Sequence, residues 1–204
     1  MVTHTLKRFV IKAGRSILRP FYKTHRIHFD DKEIAFALQD THTYNWFIRY
    51  AFRKYNWHEP SITQFMLDLP PEINVLIDVG AHLGYFSVVF STRTDNTSFA
   101  VELDPTNFSL LEQTVKSAKG VQGKIETLNL GISDNDFTAQ MPISKASPTA
   151  SLGRVTNKTN GIKPVRVTTL DKLCEEQKIS PKIIKIDVEG YEWEFLVGGE
   201  RTIR

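Results

Sequence analysis

Val75-Leu76-Ile77-Asp78-Val79-Gly80-Ala81-His82-Leu83-Gly84-Tyr85-Phe86-Ser87 decides the fold. Its first five residues are nearly all apolar, as a strand covered on both faces must be. Two glycines follow, and Tyr85 opens a new apolar pattern of helical type. A strand, a glycine turn and a helix start bring bare backbone against a ligand and aim helix N–H groups at it. About 20 residues further on, Phe99-Ala100-Val101-Glu102 offers a second strand ending in an acid, the place where a doubly wound sheet holds a ribose. Together the two segments imply a nucleoside-containing cofactor.

The glycine spacing narrows the kind of cofactor. The dinucleotide fingerprint is Gly-x-Gly-x-x-Gly, whereas here Gly80 and Gly84 stand four apart and His82 takes the middle glycine's place. This spacing suits a cofactor without phosphates whose amino acid portion lies beside the turn. Asp78, at the strand's carboxyl end, is placed to accept from a ligand ammonium directly or through water. The plainer reading is that Gly80 and Gly84 only permit a tight turn and close helix–sheet packing.

Outward from this junction, strands and helices alternate, which predicts an α/β fold with a mainly parallel sheet. Strands are expected at Asn74–Val79, Ser98–Glu102, Ile125–Leu130 and Lys182–Val188. A helix is expected at Tyr85–Ser91. Another is N-capped by Asp104, with Pro105 first and Phe108, Leu111, Val115 and Ala118 on one side. Thr138–Ile143 and Ile162–Thr168 read as an inserted hairpin, Pro164 marking an edge strand. Leu170–Gln177 is the next helix, and one more begins after Gly190. Upstream, Ser61 is expected to cap a helix over Ile62–Leu69 that buries Ile62, Phe65, Met66 and Leu69.

Two further strand ends carry polar groups. Ser133 and Asp134, beyond Asn129, are placed to meet an adenine edge. Lys185, Asp187 and Glu189 share one face of the fourth strand by alternation, with Ile184, Ile186 and Val188 on the other. Three charges on one face of a core strand are costly unless paired or used. Asp187 and Glu189 are therefore the candidate bases for a substrate hydroxyl, and His82 is a third because imidazole titrates near neutrality. The plainer alternative is a lysine–carboxylate pair fixing the strand end. No His/Cys/Asp cluster has ligand spacing, so no metal is expected.

The chain has 204 residues, 41% hydrophobic and 24% charged, ordinary values for one globular domain. One cysteine, Cys174, excludes an internal disulfide framework. No apolar run approaches the ~20 residues of a membrane span, and a cytoplasmic protein is expected. Residues 1–29 carry seven Lys or Arg and no acid, which leaves −4 for the rest of a chain whose total is +3. Leu6, Phe9, Val10, Ala13, Ile17 and Leu18 recur at helical spacing up to Pro20. This basic amphipathic N-terminal extension reads as a helix packed on the domain or a partner. Peripheral contact with an anionic membrane is the alternative, and no nucleic acid is expected as partner. Residues 30–72 form an aromatic-rich lead-in without a clean period, including Phe36, Tyr44, Trp46, Phe47, Tyr50, Phe52, Tyr55 and Trp57.

Taken in order, Asp78 to Gly84, Glu102, Asn129 to Asp134, Thr169-Leu170-Asp171 and Lys185 to Gly190 resemble an FkbM-type methyltransferase. Tyr191 to Leu196 and Glu59-Pro60 extend the resemblance. It implies a Rossmann-like doubly wound sheet of the class I methyltransferase type over residues 73–204, using S-adenosyl-L-methionine to methylate a hydroxyl oxygen of a sugar, glycan or natural product. It implies Asp78, Gly80, Ala81 and Gly84 around the methionine part, Glu102 on the ribose, Ser133 and Asp134 by the adenine, and Glu59 closing over the cofactor. The family's domain continues past this last helix. A domain truncated after its fourth core strand is therefore expected, with an open sheet edge at which chains could associate. An NAD(P)-dependent oxidoreductase on a similar fold and a non-catalytic binding or assembly module are the alternatives.

Overall fold

In the computed structural model, residues 57–143, 161–188 and 190–204 are described, together with two strands nearer the N-terminus. Those two, β1 (Thr24–Phe29) and β2 (Lys32–Ala37), form an antiparallel hairpin. The hairpin runs across the boundary drawn at residue 29 between basic extension and lead-in. The expected amphipathic helix before Pro20, Glu189, and the lead-in aromatics from Tyr44 to Tyr55 lie outside the described residues.

The domain is built on a four-stranded parallel sheet in the order β5-β4-β3-β9. Its strands are β3 (Val75–Val79), β4 (Thr97–Val101), β5 (Lys124–Leu128) and β9 (Ile183–Ile186). From β3 the chain winds outward through β4 and β5, then returns to place β9 on β3's other side. β3 is thus the point where the winding reverses, and ligands of open α/β sheets bind at the carboxyl ends of strands there.

Helices cover both faces. On one lie α1 (Pro60–Leu67) and α2 (Tyr85–Phe90), packed with Leu76, Ile125 and Ile183 of the sheet. α3 (Pro105–Ser117) packs there too, through Leu110 and Leu111. α4 (Leu170–Gln177) and α5 (Glu192–Gly198) cover the other face, where Leu170, Leu173 and Phe195 meet Ile77, Val79 and Val101. A short α6 (Glu200–Ile203) follows. Asp104 caps α3, its Oδ1 accepting from the N–H groups of Thr106 (2.7 Å) and Asn107 (3.0 Å), as its sequence position requires.

The inserted hairpin is present, with β7 (Phe137–Pro142) antiparallel to β8 (Ile162–Thr168). It belongs to a second, three-stranded sheet in the order β6-β8-β7. The expected third strand, Ile125–Leu130, breaks at Asn129. β5 stops at Leu128, and β6 (Leu130–Ile132) starts the second sheet, parallel to β8. β8 is therefore a central strand rather than an edge. Pro164 is tolerated because β6 pairs only with Arg166–Thr168, so that at Pro164 the strand has β7 alone beside it.

Helix α1 starts earlier than expected and turns a different face inward. Glu59 precedes it in a left-handed conformation (φ 43°) and Pro60 takes the first turn. Thr63 and Met66 are buried, whereas Ile62 and Phe65 are exposed. Two hydrogen bonds explain the rotation. Thr63 Oγ1 donates to the His58 carbonyl (2.6 Å) and lies 3.1 Å from the Tyr85 hydroxyl.

Candidate functional site

The carboxyl ends of β3, β4 and β9 meet around the Gly80–Gly84 turn. Gly80 has φ 75°, and a Cβ there would stand 2.0 Å from the Asp187 carbonyl oxygen, so the β9 tip lies hard against the turn. Gly84, with φ 79°, opens α2. His82 has φ 53°, strained for a non-glycine residue. Most of the turn's amides are already used. Gly80 and Ala81 donate to Val101 O (3.0 and 2.9 Å), and Gly84 donates to Ala81 O (2.8 Å). The His82 N–H donates to Glu102 Oε2 (2.8 Å).

Glu102 lies at the tip of β4, 5% exposed. Its other oxygen, Oε1, accepts from the Asp104 N–H (2.9 Å). Burial pushes its carboxyl up to about 7, against the opposing effect of those two N–H groups, and the nearby Asp104 and Asp78 push the same way as burial. The consequence for stability has a definite sign. A carboxyl raised from 4.5 to about 7 on folding contributes most stability below pH 4.5 and loses it as pH rises through 7. Between those values the ligand-free wild type is expected to lose up to about 3 kcal/mol relative to Glu102→Gln. Urea melts of both proteins across pH 4.5–8 measure it, and parallel stability curves would contradict it.

Asp78 is fully buried. Its Oδ2 accepts from Ser87 Oγ (2.8 Å) in the first turn of α2. Its Oδ1 lies 3.2 Å from Lys185 Nζ, an ion pair. The pairing follows from the register, since Asp78 and Lys185 are direct neighbours across β3 and β9. Lys185 Nζ also lies 3.7 Å from Asp187 Oδ2 and 5.4 Å from the centre of the Phe86 ring. Burial would lower the lysine's pKa, but Asp78, Asp187 and Glu59 more than offset it and the net shift is upward. The lysine–carboxylate pair is thus real, with Asp78 as its inner partner.

Asp78, Gly80, Ala81, Gly84, Glu102 and Asp187 are brought to one end of the sheet. Of these, Asp78 has no exposed surface, while the Asp187 side chain is two-thirds exposed at the rim. Ser133 and Asp134 stand one short strand further on, at the carboxyl end of β6 against Gly198 of α5. There Ser133 Oγ donates to Asp134 Oδ1 (3.2 Å). Glu59 reaches the site from α1. Its neighbour His58 docks on α2 through its N–H to the Tyr85 hydroxyl (3.2 Å) and through ring contacts with Tyr85 and Phe86. Sequence reasoning did not single out Ser87 or Tyr85. Both follow the glycine turn directly, and the start of α2 is the signal that could have found them.

Among the described residues no group of three or more His, Cys, Asp or Glu side chains could hold a metal ion, and no helix is long and apolar enough to cross a membrane.

Comparison with known proteins adds to this geometry. Residues 78–204 match the family described as the methyltransferase FkbM domain. The hexuronic acid methyltransferase AglP of Haloferax volcanii is 29% identical over 141 residues, covering 69% of this chain and 56% of that protein. The chain thus spans little more than half the length of this relative. No solved structure matches. The family match begins at Asp78 and takes in the glycine turn, the tips of β4 and β9 and every element after them. This chain belongs to the FkbM methyltransferase family.

Proposed function

We propose that the chain binds S-adenosyl-L-methionine at the tips of β3, β4 and β9 and serves methyl transfer to a hydroxyl oxygen of a sugar or glycan. The observation that carries this reading is the setting of Glu102. Each of its oxygens accepts one backbone N–H and keeps a lone pair for one hydroxyl of a ribose diol. The turn beside it is a poor phosphate cradle, because the N–H groups of Gly80, Ala81, His82 and Gly84 are spent inside the protein. This disfavours a dinucleotide, which needs such groups. Asp78, Asp187 and Glu59 around Lys185 supply more negative than positive charge, which suits a sulfonium cofactor. The name of the Haloferax volcanii relative supports a sugar acceptor.

The cofactor, when bound, supplies a methyl group already activated by positive sulfur, so displacement needs alignment more than acid catalysis. The protein's part is to hold and orient. Glu102 fixes the ribose, while Gly80, Ala81 and Gly84 allow close approach of the methionine part. Ser133 and Asp134 take the adenine side, and Glu59 closes from α1. Asp78 acts from beneath through Lys185 rather than by touching the ligand. Asp187, at the open rim, takes the proton of the acceptor hydroxyl. Glu189 and His82 are the other candidates for that role.

Isothermal titration calorimetry tests the reading. S-adenosylhomocysteine is expected to bind at micromolar strength, and NAD far more weakly. Hydroxyl donors favour the ionised carboxylate, so binding below pH 7 should release a proton and affinity should rise with pH up to about 7. Tighter binding of NAD, or no heat with S-adenosylhomocysteine, would reverse the assignment.

A further inference from the structure

We infer that Asn129 is a positioning residue for the Glu102 carboxylate, and that through Lys163 it ties the inserted hairpin to the cofactor site. The inference rests on the cofactor reading above. Asn129 sits where the chain leaves the parallel sheet for the three-stranded one. Its Nδ2 donates to the carbonyls of Glu102 (2.9 Å) and Leu103 (3.2 Å). Its Oδ1 accepts from Lys163 Nζ (3.2 Å) near the start of β8. Both amide protons and the acceptor oxygen are therefore in use.

The Leu103 carbonyl is the informative partner. It belongs to the same peptide unit as the Asp104 N–H, and that N–H holds Glu102 Oε1 at 2.9 Å. A peptide unit is planar, so fixing its carbonyl end fixes the direction of its N–H. Asn129 thus holds one end of the plane whose other end grips the carboxylate. It also holds the Glu102 carbonyl, while the Glu102 N–H donates to Leu128 O (3.0 Å). The acid is clamped on both sides of its backbone by the β5–β6 junction. Lys163 adds a bond from the hairpin, at an exposed position where one such contact is worth little.

The test compares S-adenosylhomocysteine with its 2′,3′-dideoxy analogue by calorimetry. Asn129→Ala is expected to weaken the parent ligand about tenfold, as loss of one or two well-aligned hydrogen bonds does. The dideoxy analogue, which offers Glu102 nothing, should lose about twofold or less. Asn129→Asp keeps the shape and the acceptor for Lys163 but loses both donors, and should behave like alanine. Lys163→Met should cost about two- to threefold on the parent ligand alone. Unchanged affinity, or equal losses for both ligands, would overturn the role of Asn129. Failure of both Asn129 variants to fold would assign the residue to the fold and overturn it too. A wild-type Lys163→Met affinity would remove the hairpin from the inference. If the unmodified protein ignores S-adenosylhomocysteine, the cofactor reading itself falls, and this one with it.

Discussion

Replacing Lys185 by methionine is expected to destabilise the protein by about 3–5 kcal/mol, the loss associated with removing one member of a buried ion pair. The effect comes from what is left behind. Asp78 stays fully buried between β3 and α2, with Ser87 as its remaining hydrogen-bond donor. A lone carboxylate there is an uncompensated buried charge. The Lys185 side chain keeps 14% of its surface exposed, which admits some solvent and favours the lower end of the range. The double variant Lys185→Met, Asp78→Asn removes the orphaned charge and should recover more than half of the loss. Chemical denaturation of the three proteins at pH 7 decides the matter. A single variant within about 1 kcal/mol of wild type would mean that the pair is not buried in solution.

Gly80→Ala is expected to cost about 4 kcal/mol or more, a large share of the stability of a domain of this size. Two effects combine. An alanine held at φ 75° carries a penalty of about 1–2 kcal/mol. Its Cβ would also stand 2.0 Å from the Asp187 carbonyl oxygen, a backbone atom with no rotamer to yield. Relief requires the β9 tip to move away from the turn. That strains the Asp187 N–H bond to Val79 O (3.0 Å) and the Lys185–Asp78 pair behind it. Circular dichroism and thermal melts read the outcome. A soluble variant melting within a few degrees of wild type would show that the contact yields.

The elements from residue 73 onward were largely legible because their signals are local. Val75–Val79 is apolar but for Asp78, Asp104-Pro105 is a helix start in itself, and Thr169 to Gln177 carries both cap and apolar face. What failed to show depended on partners distant in sequence. Leu128-Asn129-Leu130 reads smoothly as strand, and only the carbonyls of Glu102 and Leu103 reveal why the chain breaks there. The buried face of α1 is set by Tyr85, 22 residues beyond Thr63, and no period within the helix encodes it. The β1–β2 hairpin was hidden by its basic setting. Its alternating Ile27, Phe29, Ile34 and Phe36 are a period-two signal that the positive charge count masked. At the site, residue types at strand ends picked out one end of the sheet, where Asp78, Glu102 and Asp187 come together. That Asp78 faces Lys185 is a matter of register between β3 and β9, which composition does not carry.

The glycine turn has a further consequence for selectivity. Any cavity shaped for an adenosyl group must cope with ATP, which shares the nucleoside and is abundant wherever metabolism runs. On the proposed reading, the turn itself works against ATP. The N–H groups of Gly80, Ala81, His82 and Gly84, committed to Val101, Ala81 and Glu102, offer a triphosphate tail no donor, and the acidic strand tips repel it. Part of the discrimination, on that reading, lies in the resting backbone, present before any small molecule arrives.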